Sequence, residues 1–436
     1  MNRKILNLAI PSIISNITVP MLGLVDVAIA GHLGETAYIG AISIGGLFFN
    51  ILYWNFGFLR MGTSGLTAQA YGRKNNKEIM TVLVQSVTVG LVAALLILLI
   101  QYPAERLGFY LLNTTPEIEK HAVTYIRILV WGAPAILMLY GFKGWFIGMQ
   151  NSRYQMYVAV FMNITNIVLS FIFVYVFDMK IEGVALGTLI AQYSGLFLAV
   201  VLWIKRYGYL REYIEFKENL HLSKMKRFFS VNRDIFIRTT CLIAVTMFFT
   251  YSGTKQGEVT LAVNTLLMQL FTLFSYFMDG FAYAGEAIIG RYCGAKNLIQ
   301  LRKALKVLFA WGISLAVVFT GLYAIGGNSF LHLLTNDVVV LHEANKYFYW
   351  VLAIPLAGFA AFIWDGVLIG ATATKYMLYA MLIAVAAFFS IIFLFSGMSN
   401  NNVLWIAFIV YLALRGIMQT IYSPKVFNMK FLEKLK

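Results

Sequence analysis

Four acidic residues lie within long apolar stretches of the sequence: Asp26, Asp279, Glu286 and Asp365. A charge at the centre of a bilayer costs about 2.5–3.5 kcal/mol on insertion scales, so an acid there is a functional candidate before it is anything else. Asp26 stands out because no basic residue adjoins it and because it lies in the first span only about seven residues, roughly 10 Å of helix, from the outer end. A low-dielectric medium favours the neutral form of any carboxylic acid that has no cation beside it. Such a group can take up and release a proton, or it can stay protonated as a hydrogen-bond donor between helices. Pro20, shortly before it, has no N–H for the Asn16 carbonyl and permits a bend, which makes it a candidate hinge.

Polar residues recur nearby at helical spacing. Asn163, Asn166 and Ser170 share one face of one helix, and Thr188 and Gln192 share one face of the next. In lipid these stripes must face protein or water, so together with Asp26 they line an aqueous cavity or join helices by hydrogen bonds. Arg60 and Asp279 occupy comparable depths in corresponding parts of the two halves and are candidate partners in a gate; the alternative is that each pairs within its own half. Lys143 and Asp365 fall near the ends of their runs, where snorkelling is the simpler reading. The five histidines have no ligand spacing, and neither a zinc-type His motif nor an acidic dyad at helical spacing is evident. No metal, cofactor or enzymatic chemistry is therefore expected. Cys241 and Cys293, in a span and at a helix end, predict no disulfide.

The elements that must position these residues follow from composition. Of the 436 residues, 60% are hydrophobic and 12% charged, and the mean hydropathy is +0.76. That balance excludes an ordinary water-soluble domain. A bilayer core needs roughly 20 apolar residues per helix. Runs of that length occur near 5–31, 38–59, 80–101, 122–142, 154–177, 183–204, 235–254, 259–281, 305–325, 347–370, 376–397 and 402–423. The predicted fold is all-α, with twelve transmembrane helices. Arg3-Lys4 followed by an apolar run imitates a signal peptide, but Asn16, Pro20 and Asp26 are foreign to such a segment.

The net charge of +15 raises the possibility of a nucleic-acid partner, and the placement of the charges argues against it. Alternate loops hold 24 of the 34 basic residues, whereas the opposite loops hold five, Arg106, Lys120, Lys180, Lys255 and Lys346. This is the positive-inside distribution of a multi-pass protein of the cell (inner) membrane with both termini cytoplasmic.

The halves repeat. Gly72-Arg73-Lys74-Asn75 matches Gly294-Ala295-Lys296-Asn297 at an offset of 222 (294 − 72), and Gly34-Glu35 matches Gly257-Glu258 at 223 (257 − 34). Gly144, Gly148, Arg153, Tyr154 and Tyr157 match Gly366, Gly370, Lys375, Tyr376 and Tyr379, again at 222 (366 − 144). An offset that spans six helices preserves orientation, so the halves are parallel repeats. The expected organisation is a first lobe over 1–204, a charged connector over 205–233 and a second lobe over 234–436. Asp26 has no acidic counterpart, because Phe248 stands at the matching position (26 + 222), which confines the ion chemistry to the first lobe.

Leu8-Ala9-Ile10-Pro11, Val25-Asp26, Gly31-His32-Leu33-Gly34, Ala68-Gln69-Ala70-Tyr71-Gly72, Asn166-Ile167-Val168-Leu169 and Gly183-Val184-Ala185-Leu186-Gly187-Thr188 follow one another in this order along essentially the whole chain. In this the sequence resembles the MATE family of multidrug exporters, and within it the DinF-like branch. The resemblance implies two lobes that rock in alternating access, and export of organic cations in exchange for H⁺ or Na⁺. It implies Asp26 as the coupling carboxylate, with Asn166 and Thr188 beside it. Small cationic or amphipathic molecules and the bilayer are then the partners of a monomer, with H⁺ or Na⁺ as the only ion required. Some members carry Asp after Asn-Ile-Val-Leu, where this chain has Ser170. A missing second carboxylate favours H⁺, because Na⁺ prefers several hard oxygen ligands. The alternative function is a flippase for a lipid-linked or amphipathic lipid, whose pyrophosphate would need clustered cations; Arg60, Lys143, Arg127 and Arg238 are the candidates. A passive channel is the remaining alternative.

Overall fold

The computed structural model describes residues 1–32, 36–112, 115–395 and 400–427. Leu33, Gly34 and Glu35 of the motifs above, and the basic residues of the C-terminal tail beyond 427, lie outside the described residues. The helices are α1 (Asn2–Gly31), α2 (Thr36–Asn55), α3 (Phe58–Arg73), α4 (Asn76–Leu112), α5 (Pro116–Leu129), α6 (Ala133–Gly148), α7 (Ser152–Tyr175), α8 (Ile181–Tyr207), α9 (Phe216–Asn219), α10 (Leu222–Lys255), α11 (Glu258–Gly294), α12 (Leu298–Leu334), α13 (Val338–Gly370), α14 (Thr374–Leu394) and α15 (Asn401–Val426). Among the described residues twelve stretches are long and apolar enough to cross a membrane, as the sequence predicts. The second span combines α2 and α3, and the fourth combines α5 and α6. Their breaks have local causes. At the first, Gly57 N–H bonds to the Trp54 carbonyl in a tight turn; at the second, Pro134 follows a short 3₁₀ turn over Val130–Gly132. α1 continues through both Pro11 and Pro20.

Two compact units are present, Pro11–Phe229 and Met1–Ile10 with Ser230–Lys436. Within the first, α3 packs on α6, α4 on α6, α2 on α5 and α7 on α8; within the second, α11 packs on α13, α12 on α13, and α15 on both α13 and α14.

The repeat is carried by backbone geometry. Lys74 and Lys296 take left-handed φ values of 57° and 54°, and Gln150 and Thr372 take 62° and 52°. The asparagine after each of these lysines caps the following helix: Asn75 Oδ1 accepts from Glu78 N at 3.1 Å and Asn297 Oδ1 from Gln300 N at 3.0 Å. Lys-Asn is thus one stop-and-start signal used twice. The matched glycines mark tight helix crossings. A Cβ on Gly144 would lie 2.2 Å from the Arg60 carbonyl oxygen, and one on Gly366 would lie 2.1 Å from that of Ala282. Gly148 meets the Ser64 carbonyl and Gly370 that of Glu286 in the same way, at 2.8 and 2.6 Å. Without side chains at these points the two helices of each pair approach closely, which lipid-embedded helices exploit for packing.

The charged stretch after α8 is docked rather than loose. Asn219 is buried; its side chain accepts from Thr81 Oγ1 at 2.9 Å and donates to the Tyr213 carbonyl at 3.2 Å, and its own carbonyl accepts from Gln85 Nε2 at 3.0 Å. Arg227 donates to Gln69 Oε1 at 2.9 Å and pairs with Glu78, which also holds Arg73. Residues up to Phe229 accordingly belong to the first unit. Asn219→Ala is expected to destabilise this unit by about 1–3 kcal/mol, since it strands buried partners. A lowered thermal midpoint together with faster proteolysis between 208 and 222 is the readout.

Candidate functional site

The sequence-predicted residues converge in the first unit. Asp26 of α1 is 6% exposed, and its Oδ1 is buried with no hydrogen-bond partner among the described residues. The polar stripe of α7 joins it to α1 and to α8. Asn163 Nδ2 donates to the Thr18 carbonyl of α1 at 3.0 Å, fixing the α1–α7 pair near Pro20. Asn166 Nδ2 donates to Thr188 Oγ1 on α8 at 2.7 Å, and Thr188 passes its own proton to the Val184 carbonyl at 3.0 Å. Tyr125 of α5 stands beside both Thr188 and Asp26. Its ring occupies the space that a Cβ on Gly45 would fill, 2.4 Å from that position.

The site is rich in unused oxygens. Asn166 Oδ1, Ser170 Oγ, Gln192 Oε1 and the Tyr53 hydroxyl are buried without a hydrogen-bond partner among the described residues, as is Asp26 Oδ1. Buried polar atoms are normally paired, so each of these orphans leaves a hydrogen bond open to another species. Among the described residues no set of three or more His, Cys, Asp and Glu is arranged to hold a metal. What the arrangement offers is one ionisable carboxylate and several neutral oxygens.

Two predicted lining residues sit at helix contacts. Ser170 is wedged against Gly187 of α8, where a Cβ would come 2.4 Å from its hydroxyl, so a longer side chain at 170 must displace α8 or turn away. Gln192 fills the cleft at the break of the fourth span, its Oε1 only 1.7 Å from where a Cβ on Gly132 would stand. Gly132→Ala is therefore expected to push Gln192 out of place and raise the transport KM several-fold, with a small change in thermal midpoint. Efflux kinetics of the variant check this.

A model of the MatE family matches residues 11–172 and again residues 235–395. The chain belongs to the MATE family. It is 35% identical over 417 residues to DNA damage-inducible protein F of Escherichia coli (strain K12), covering 95% of this chain and 90% of that protein. That similarity agrees with the DinF-like branch read from the motifs. Multidrug and toxin extrusion protein 1 of Danio rerio is 24% identical over 368 residues, covering 79% of this chain and 58% of that protein. The structure of the Vibrio cholerae MATE transporter VcmN superposes with a TM-score of 0.86 over 98% of this chain and 96% of that one, at 16% identity, and shares the fold. MATE proteins are transporters, not enzymes, and this one is a multi-pass membrane protein. The double match to one family model is the duplication seen in the glycines and caps.

Arg60 on α3 is buried, beside Tyr140 and Lys143. Asp279 is on α11 beside Tyr276. The snorkelling reading of Asp365 is corrected: its side chain is 9% exposed and is engaged by Arg238, Arg415 and Gln419. A carboxylate that finds two guanidiniums inside the protein has no reason to reach for the membrane surface. Tyr53 and Tyr125 were absent from the sequence-derived site because single tyrosines carry no spacing signal. Arg415 and Gln419, one helical turn apart, did carry one, but their partner Asp365 is distant in sequence.

Proposed function

We propose that this MATE protein exports small cationic or amphipathic organic molecules in exchange for an inward-moving cation, H⁺ rather than Na⁺, with Asp26 as the coupling carboxylate. The observation that carries this reading is the buried Asp26 with one carboxylate oxygen unpartnered. A proton requires that single carboxylate, whereas Na⁺ requires several hard oxygens at once. Position 170 carries a serine rather than a second carboxylate, so the oxygens left open beside Asp26, Asn166 Oδ1 and Ser170 Oγ, are neutral. A proton and a cationic substrate then act as alternative occupants: protonation at the outer face releases the substrate, and deprotonation at the inner face allows the next to bind. Each ligand needs only to bind one of two conformations better than the other. Asn163, Asn166, Ser170, Thr188 and Gln192 line the path, Pro20 serves as the hinge of α1, and a monomer with both termini cytoplasmic in the cell (inner) membrane is the working unit.

The test is efflux of a fluorescent organic cation from proteoliposomes under an imposed pH gradient or an imposed Na⁺ gradient. Efflux driven by the pH gradient alone supports the reading, whereas efflux driven by Na⁺ alone makes Na⁺ the coupling ion. The gate pairing of Arg60 with Asp279 has its own check. Arg60→Asp and Asp279→Arg are each expected to abolish transport, and the doubly reversed protein to recover it; without recovery the pairing is wrong.

A further inference from the structure

Two arginines share one carboxylate in the interior of the second unit. Arg238 of α10 and Arg415 of α15 each donate through Nη2 to Asp365 Oδ2 on α13, Arg415 at 2.7 Å. Gln419, one turn beyond Arg415, donates through Nε2 to Asp365 Oδ1 at 2.6 Å. The Tyr411 ring lies 5.4 Å from the Arg415 guanidinium carbon. Arg238, Asp365, Arg415 and Gln419 are all buried, between 1% and 8% exposed.

The charges of this cluster do not balance. Two guanidiniums against one carboxylate leave a net single positive charge out of contact with water, which is costly unless something compensates it. Nor are the donors used up: Arg238 Nε and Arg415 Nε are buried without a hydrogen-bond partner among the described residues. Asp234, one turn before Arg238, does not supply the missing charge. Its Oδ1 is held by Arg233 at 3.1 Å and its Oδ2 by Thr374 Oγ1 at 3.0 Å, so that carboxylate is already matched. Arg233 is itself exposed. Asp365 lies five residues before α13 ends at Gly370, roughly 8 Å along the helix.

We propose that Arg238 and Arg415 form an oxyanion subsite for a phosphate group. Asp365 and Gln419 hold the two guanidinium forks in register when the anion is absent. The planar fork of each guanidinium matches two oxygens of a phosphate, and a second, external anion neutralises the charge that Asp365 leaves over. Two sources offer this chemistry, the headgroup of an anionic lipid and free phosphate. The site is separate from Asp26 and does not depend on which ion drives transport.

The experiment measures the thermal midpoint of the purified full-length protein in nonionic detergent by tryptophan fluorescence. One arm titrates inorganic phosphate against chloride at constant ionic strength; the other adds phosphatidylglycerol against a phosphate-free galactolipid. A saturable rise of the wild-type midpoint in either arm is expected, and the arm that responds names the source. Arg238→Gln and Arg415→Gln should each weaken the half-saturating concentration about tenfold or more, the loss of one charge-assisted contact. Asp365→Asn removes the internal competitor and should tighten it by about the same factor. Arg415→Lys keeps the charge without the fork and should retain part of the rise, which keeps the test readable if a glutamine variant does not fold. No rise in either arm overturns the proposal. So does a rise untouched by both arginine substitutions, or weakening rather than tightening in Asp365→Asn. Any of these would make the cluster a clamp between α10, α13 and α15.

Discussion

Asp26→Asn is expected to reduce gradient-driven efflux by about 100-fold, the upper range of a coupling free energy between two ligands, with weaker binding of a cationic substrate and little change in the thermal midpoint. The reasoning rests on what the substitution preserves. Asparagine keeps the volume of the side chain and one carbonyl oxygen, so the packing of α1 near Asn163 and Thr18 need not alter. What it removes is the ability to exchange a proton and to meet a cation with a full negative charge. If Asp26 were a permanently protonated tether between helices, the amide would replace it and efflux would survive. Equilibrium binding of a fluorescent cation beside proteoliposome efflux separates the outcomes. Normal efflux by the variant would remove Asp26 from the coupling mechanism.

Gly144→Ala and Gly366→Ala are expected to destabilise the protein by similar and large amounts, about 3 kcal/mol or more each, through overpacking. At both positions a single methyl group would stand within 2.2 Å of a carbonyl oxygen on the opposing helix. The obstacle is backbone in each case, so no side chain can rotate away, and α3 must part from α6 or α11 from α13. Gly321→Ala on α12 is the control, because nothing lies within 4 Å of its added methyl, and it should be neutral or slightly stabilising. Thermal midpoints of the three variants check the argument. Equal losses at 144 and 366 would also show that the repeat is a repeat of energetics, whereas a tolerated alanine at both would mean the crossings are looser than drawn.

Much of this architecture was legible in one dimension. Bilayer thickness fixes the length of an apolar run, so twelve spans could be marked without any knowledge of packing. Duplication was legible because the matched residues do backbone work. A left-handed Lys, a capping Asn and a glycine at a helix crossing are each dictated by local geometry, and the same geometry recurs 222 residues later (296 − 74). Asp26 was legible because an acid without a neighbouring cation in an apolar run is conspicuous on cost alone.

Partnership was not legible. Helical spacing put Asn163, Asn166 and Ser170 on one face, yet only folding revealed that Asn163 ties to α1 and Asn166 to Thr188, while Ser170 packs against Gly187 with its hydroxyl unpaired among the described residues. Read singly, Asp365 looked like a snorkelling acid and Arg415 had no assignment, because the partners of a buried charge lie on other helices. The sequence by itself determined the number of spans, the duplication and the one conspicuous carboxylate, since each follows from the cost of placing given groups in lipid. Which polar atoms are satisfied, and by whom, was decided only by the tertiary structure, because a hydrogen bond or ion pair is a relation between residues that the chain alone leaves far apart.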